Sequence, residues 1–494
     1  MIQPRWKSGL LYRYRQGRIF FLFHQKTPER SVPLDHRTKG KRALVFLLLF
    51  FLFASPAEAG LKDQVFETTL ANGLKVILLE NHKAPLITFQ VWYRVGSRNE
   101  EWGKTGLSHM LEHMMFKGTA KVGPEEFSRI VQENGGNDNA FTSRDFTAYF
   151  ENLSADRVQV SIDLESDRMQ NLILREEDFR TERMVVMEER RMRTNDNPQA
   201  FLLEQVEATA FQVSPYHWPT IGWMEDISRF TLEDLKSYHR TYYHPANAFL
   251  VVVGDFRKED LLPRIEKAFG SIPRGTSPNQ TRDLDPQQVG ERRVLVHKEA
   301  HLPFLVMGYH VPNLRDPDSY VLEVIAALLG EGKSSRLYQS LVRDQRLVLS
   351  ADADYSMASH DPGLFFLSSE ILEGKAASAV EKALDREIDR LQRDPVGPRE
   401  LQKAKNQLES SFVYSQDSLF YQAMLLAHHE IALGWKTIDE YLPSIRKVTA
   451  EDIRRVAKRY LIPENRTVGI LVPLPPQGEK APPPGSLIKE RMVR

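Results

Sequence analysis

Short apolar runs broken by turn residues begin at residue 66, and longer runs of helical spacing follow them. Phe66-Glu-Thr-Thr-Leu70, the turn pair Asn72-Gly73 and residues 74–80 predict a β-hairpin, and residues 86–95 predict a further strand. The pattern then changes to that of helices, around His109 and over residues 124–134, 155–172, 176–193 and 232–242. The apolar run Phe249 to Val253 predicts the strand that closes the unit. Strands at both ends with helices between them predict an α+β unit, a mostly antiparallel sheet with helices packed on one side.

The same unit recurs. Thr231-x-Glu233-Asp234-Leu235 leads to Tyr242, Pro245, Asn247 and the closing strand, and Thr449-x-Glu451-Asp452-Ile453 leads to Tyr460, Pro463, Asn465 and the run 468–472. Each residue of the second set stands 218 positions after its counterpart, as Val294 and Pro303 do after Val76 and Pro85. One offset at both ends implies two homologous domains of similar length. The expected division is an N-terminal extension over 1–59, a first domain over 60–272, a linker over 273–290, a second domain over 291–472 and a Pro-rich tail over 473–494. The linker is set apart by its Pro, Gly, Asn, Gln and Asp content, and the tail, with Pro482-Pro483-Pro484, reads as disordered.

Composition narrows the classes. With 66 basic and 66 acidic side chains the net charge is zero, which gives no bulk attraction to nucleic acid or to an acidic membrane surface. There is no cysteine, so any bound metal must be held by His, Asp or Glu. The apolar run 43–54, preceded by Lys39, Lys41 and Arg42 and followed by Ala57-Glu58-Ala59, reads as a secretory signal. A periplasmic or secreted protein cleaved after Ala59 is the expectation, with membrane attachment only if that segment is retained.

His109-Met-Leu-Glu112-His113 supplies the chemistry. Two imidazoles four apart and a carboxylate between them share one helical face, the inverted form of a zinc-hydrolase motif. The imidazoles suit Zn²⁺ and the carboxylate suits a general base acting on water. At the 218-residue offset His109, Glu112 and His113 meet Ala327, Gly330 and Glu331, so only the first domain carries the motif. A third ligand is expected on the helix 176–193, where Glu182 and Glu189 lie seven apart with Val185 and Val186 between them; Glu188 and Glu189 are nearly equal candidates from the sequence alone.

These motifs, with Asn139-Ala140-Phe-Thr142 and Thr147-x-Tyr149 and the duplicated halves, resemble the pitrilysin/insulinase family of inverted-motif zinc peptidases. Ser334-Ser335-Arg336-Leu337-Tyr338 and the chain length are most similar to its bacterial processing-peptidase-like members. The resemblance spans residues 66–472 and implies two domains arranged as a clamshell around one Zn²⁺ per chain. It implies that His109, His113 and Glu189 bind the metal, that Glu112 is the general base, and that Glu182 supports the site. It makes Asn139 and Ala140 part of an edge strand to which a peptide or unfolded protein segment adds as a further strand. Family members also carry an Arg and a Tyr seven apart in the second domain, directed at the substrate. Here Arg343 is present, but the Tyr position is Ser350. That departure suggests a heterodimer in which a second, homologous noncatalytic chain supplies the pair, a homodimer being the other expected assembly. The alternative to an active endopeptidase is a weak or inactive scaffold or peptide-binding subunit of such a heterodimer. His428-His429-Glu430 and Tyr216-His217-Trp218-Pro219 are read as packing residues, because adjacent helical histidines point in different directions.

Overall fold

The computed structural model describes residues 61–276, 278 and 284–475. The signal segment with its cleavage point, part of the linker and all but the start of the tail lie outside them. Among the described residues no helix is long and apolar enough to cross a membrane.

In the first half, β1 (Val65–Thr69) and β2 (Lys75–Glu80) form the hairpin, with Gly73 in the turn at a φ of 89° that favours glycine. β3 (Leu86–Tyr93) leads to α1 (Leu107–Met114) and α2 (Glu126–Glu133), then β4 (Asn137–Thr142) and β5 (Thr147–Ser154). Helices α3 (Val158–Asn171), α4 (Glu176–Arg190), α5 (Pro198–Ala210) and α6 (Leu232–Tyr242) precede the closing β6 (Ala248–Gly254). The sheet runs β1-β2-β6-β3-β5-β4, and only β2 and β6 are parallel. β4 is therefore an edge strand, lying next to α1.

The second sheet repeats this with β7 (Arg292–Glu299), β8 (Phe304–Val311), β9 (Val348–Asp354), β10 (Gly363–Ile371) and β11 (Arg466–Leu474), in the order β7-β11-β8-β10-β9. Its helices include α7 (Asp318–Gly330), α8 (Pro398–Ser415), α9 (Leu419–Ala432) and α10 (Ala450–Tyr460). The outer parts keep the 218-residue offset. Thr231 caps α6 and Thr449 caps α10 through the same reciprocal box, with Asp234 and Asp452 respectively.

The middle does not keep it. Residues 94–106 join β3 to α1, whereas the six residues 312–317 join β8 to α7, seven fewer. From there α1 and α7, and β4 and β9, begin 211 residues apart, and the turns before the latter pair place Gly135 and Arg346 at positive φ. By element position His109, Glu112 and His113 thus face Tyr320, Glu323 and Val324, not Ala327, Gly330 and Glu331. The second half still has no imidazole pair there.

The halves are interlocked rather than merely joined. One face of the first sheet is covered by its own helices; against the other lies α9 of the second half, packing Ala423, Leu426, Ala427 and Ile431 onto Ile77, Trp92, Phe249 and Val251. Reciprocally, α5 packs Leu202, Val206 and Ala210 onto Val296, Val306, Phe366 and Leu471 of the second sheet. Gly469 permits that contact, since a Cβ there would lie 2.2 Å from Val206 Cγ2. The start of the linker's second stretch is tied down too, Asp285 Oδ1 accepting the N–H groups of Gln212, Val213 and Ser214 at 2.9, 2.6 and 3.2 Å. Leu426 is wholly buried in this exchange, so Leu426→Ala is expected to cost about 2–5 kcal/mol, read from urea unfolding.

Candidate metal centre

Helix α1 carries both motif imidazoles one turn apart, their ring centroids separated by 4.7 Å. Helix α4 lies against it and buries Phe179 and Val186, which turns Glu182 and Glu189 inward. Val185, in contrast, is exposed, so of the two valines between these glutamates only Val186 faces the core. His113 Nε2 and His109 Nε2 lie 3.2 and 3.6 Å from Glu189 Oε2. One ligand atom from each of the three residues falls within 4.8 Å of the others, and no second such group occurs among the described residues. Of the two adjacent glutamates, Glu188 is exposed and pairs with Arg191.

Two of the three donors, His113 and Glu189, have a fixed outer partner. Glu182 Oε1 lies 2.8 Å from His113 Nδ1, which leaves Nε2 facing Glu189, and Glu182 Oε2 lies 2.5 Å from Lys117 Nζ. Arg193 holds the other oxygen of Glu189 at 2.7 Å. Burial alone would raise Glu182, but His113 and Lys117 hold its carboxyl at about 2. Burial would lower His113, yet Glu182 and Glu189 push it up to about 9, whereas burial and the neighbouring His113 take His109 down to about 3. The carboxylates of Glu182 and Glu189 beside the two imidazoles thus favour positive charge at this cluster. Neutral imidazole nitrogens with one carboxylate oxygen, His113 already oriented from behind, are a donor set that fits a divalent cation.

Glu112 projects from the same helix. Burial raises its pKa, opposed by a 2.5 Å hydrogen bond that Thr142 Oγ1 donates to its Oε2. Thr142 lies on β4, so the edge strand touches the carboxylate directly. Asn139 is exposed on that strand, and its Oδ1 accepts the Ala140 N–H at 2.8 Å. Arg343 is not brought to the cluster by any hydrogen bond or ion pair: it sits on the π-helical turn Tyr338–Asp344, exposed and paired with Asp344 at 2.7 Å. Ser350 is half-buried on β9, the opposite sheet's edge strand. His428 packs edge-on against Trp92 and Phe146, and His217 bonds Ser214 O at 2.7 Å beneath Trp102, so both act as packing groups.

Thr142 and Lys117 are contacts that the sequence reading left without a role. Lys117 stands four residues after His113 and was within reach of helical spacing; Thr142 lies thirty residues from Glu112 and had no such signal. Removing the His113 support by Glu182→Ala is expected to weaken zinc binding about 10–100-fold, measured by chelator competition.

Residues 75–222 match the family model described as insulinase (peptidase family M16), and residues 229–408 match that described as the peptidase M16 inactive domain. The zinc protease PqqE of Helicobacter pylori is 36% identical over 419 residues, which cover 82% of this chain and 92% of that protein. The chain belongs to the M16 peptidase family. A solved protease of Helicobacter pylori shares this M16 fold with a TM-score of 0.80 at 34% identity, over 83% of this chain and 99% of that one. The protein named as a probable mitochondrial-processing peptidase subunit beta in Arabidopsis thaliana is 26% identical, over 82% of this chain and 78% of its own. The M16 model for the inactive domain falls mainly on the half whose α7 has no imidazole pair.

Proposed function

We propose that this M16 chain is a zinc-dependent endopeptidase acting on extended peptides or unfolded polypeptide segments. The observation that carries the reading is the convergence of His109, His113 and Glu189 beside the buried carboxylate of Glu112. One Zn²⁺ per chain held by those three residues would polarise the scissile carbonyl and make water nucleophilic at neutral pH. Glu112 takes the proton from the attacking water and returns it to the leaving nitrogen, its raised pKa bringing it nearer to what that exchange needs. Thr142 fixes one oxygen of Glu112 and leaves the other for the proton. Glu182 keeps His113 Nδ1 occupied, which holds the ring's orientation. The edge strand β4 offers main-chain groups to a substrate strand, and the Ala140 N–H passes from Asn139 Oδ1 to a substrate carbonyl. Arg343 belongs to this proposal as a substrate contact reached from the second half.

Mass spectrometry of an unstructured peptide incubated with the chain tests the reading. Internal cuts are expected; an intact peptide, or trimming confined to its ends, contradicts it. A second reading is favoured by Ser350, which cannot replace a Tyr hydroxyl reaching toward a developing oxyanion. In it the active unit is a dimer with a homologous chain bearing the Arg/Tyr pair, and a relative named as a peptidase subunit supports it. Cleavage that rises only when such a chain is added distinguishes the two. Export with cleavage after Ala59 completes the proposal, and a mature N-terminus at Gly60 is its check.

A further inference from the structure

The loop leading into α1 contains a buried carboxylate that the chemistry above does not use. Glu100 is only 6% exposed, and its oxygens accept two backbone N–H groups, Gly106 at Oε2 and Ser108 at Oε1, each at 2.7 Å. These are the N-cap and the second position of α1, two of the amide groups that a helix start leaves without partners. The usual remedy is a Ser, Thr, Asp or Asn side chain at the N-cap itself. It is not open here. Gly106 has a φ of 94°, and a Cβ on it would lie 2.6 Å from the Ile221 carbonyl oxygen, so the position admits no capping side chain. Glu100 supplies the cap from six residues upstream, one oxygen for each amide.

His109 follows directly on Ser108. The two imidazoles are not supported alike: Glu182 holds His113 Nδ1, whereas His109 Nδ1 is buried without a hydrogen-bond partner. The placement of His109 therefore rests on packing and on the backbone that carries it. That backbone is tied through Glu100 to the turn after β4, because Glu100 N–H bonds Ser97 O at 3.1 Å and the N–H groups of Ser97 and Arg98 bond Ser143 O and Arg144 O at 3.1 and 2.9 Å. The same strand, through Thr142, holds Glu112.

We infer that Glu100 is a positioning residue that fixes His109 for metal binding by anchoring the N-terminus of α1, as Glu182 fixes His113 from behind its ring. The inference rests on the zinc reading given above. Metal-stripped wild-type chain and the variants Glu100→Ala and Glu100→Gln would be compared for zinc affinity by chelator competition, for the visible spectrum of the Co²⁺-substituted form, and for thermal midpoint without metal. Glu100→Ala is expected to weaken zinc binding about tenfold or more and to change the cobalt spectrum. Glu100→Gln retains one acceptor and should fall between; being isosteric, it carries the test if the alanine variant fails to fold. Lower thermal midpoints with unchanged zinc affinity and cobalt spectrum would overturn the inference, leaving Glu100 as a stability residue. Wild-type chain that binds no zinc would instead remove the zinc reading and this one with it.

Discussion

Glu112→Gln is expected to lower kcat/KM for peptide hydrolysis by about 10²–10⁴-fold, the range that a positioned general base contributes, while zinc stays bound. The amide keeps the size of the carboxylate, and its oxygen can still accept from Thr142, so β4 and α1 keep their contact. What it cannot do is take a proton from water. Glu112 is not one of the three clustered donors, so the metal content measured by mass spectrometry should equal that of wild type. A variant that retains zinc and cleaves within tenfold of wild type would deny Glu112 its role; a variant that loses zinc would mean that Glu112 belongs to the ligand set.

Glu189→Ala is expected to abolish stable zinc binding, with a loss of affinity greater than the roughly hundredfold that removal of a supporting residue costs. Its Oε2 is the oxygen nearest both Nε2 atoms, and its loss also leaves Arg193 without a partner beside two imidazoles, adding a repelling charge to the missing donor. The neighbouring Glu188→Ala is the contrast. Glu188 is exposed and paired only with Arg191 on its own helix, a type of contact worth little, so zinc affinity and activity should stay at wild-type values. Chelator competition on the two variants side by side reads the difference, and equal losses would show that the effect comes from helix α4 as a whole.

The parts of this fold written locally were legible. The Thr231 and Thr449 boxes appear as Thr and Asp three apart, and the His109–His113 spacing fixes a shared face on any helix that carries it. The choice between Glu188 and Glu189 was not legible, because adjacent residues point about 100° apart and the rotation of α4 is set by which of Val185 and Val186 finds the core. The exchange of α5 and α9 was hidden for a related reason: an apolar helix face looks the same in sequence whichever sheet it covers. The seven-residue shortening between β8 and α7 lies in a loop, where no periodicity records it, so an offset true at both ends of the repeat failed in the middle. The anchors of Glu112 and of the α1 N-terminus are likewise contacts made by the fold, Thr142 reaching back from β4 and Glu100 reaching forward to a glycine that cannot cap its own helix.

The most direct measurement strips the chain of metal with a chelator, then adds zinc stepwise while following internal cleavage of an unstructured peptide. The account predicts no cleavage in the stripped chain and a return that saturates at one zinc per chain. Cleavage that persists without metal, or one zinc bound tightly with no cleavage even beside a homologous Arg/Tyr-bearing chain, would contradict it.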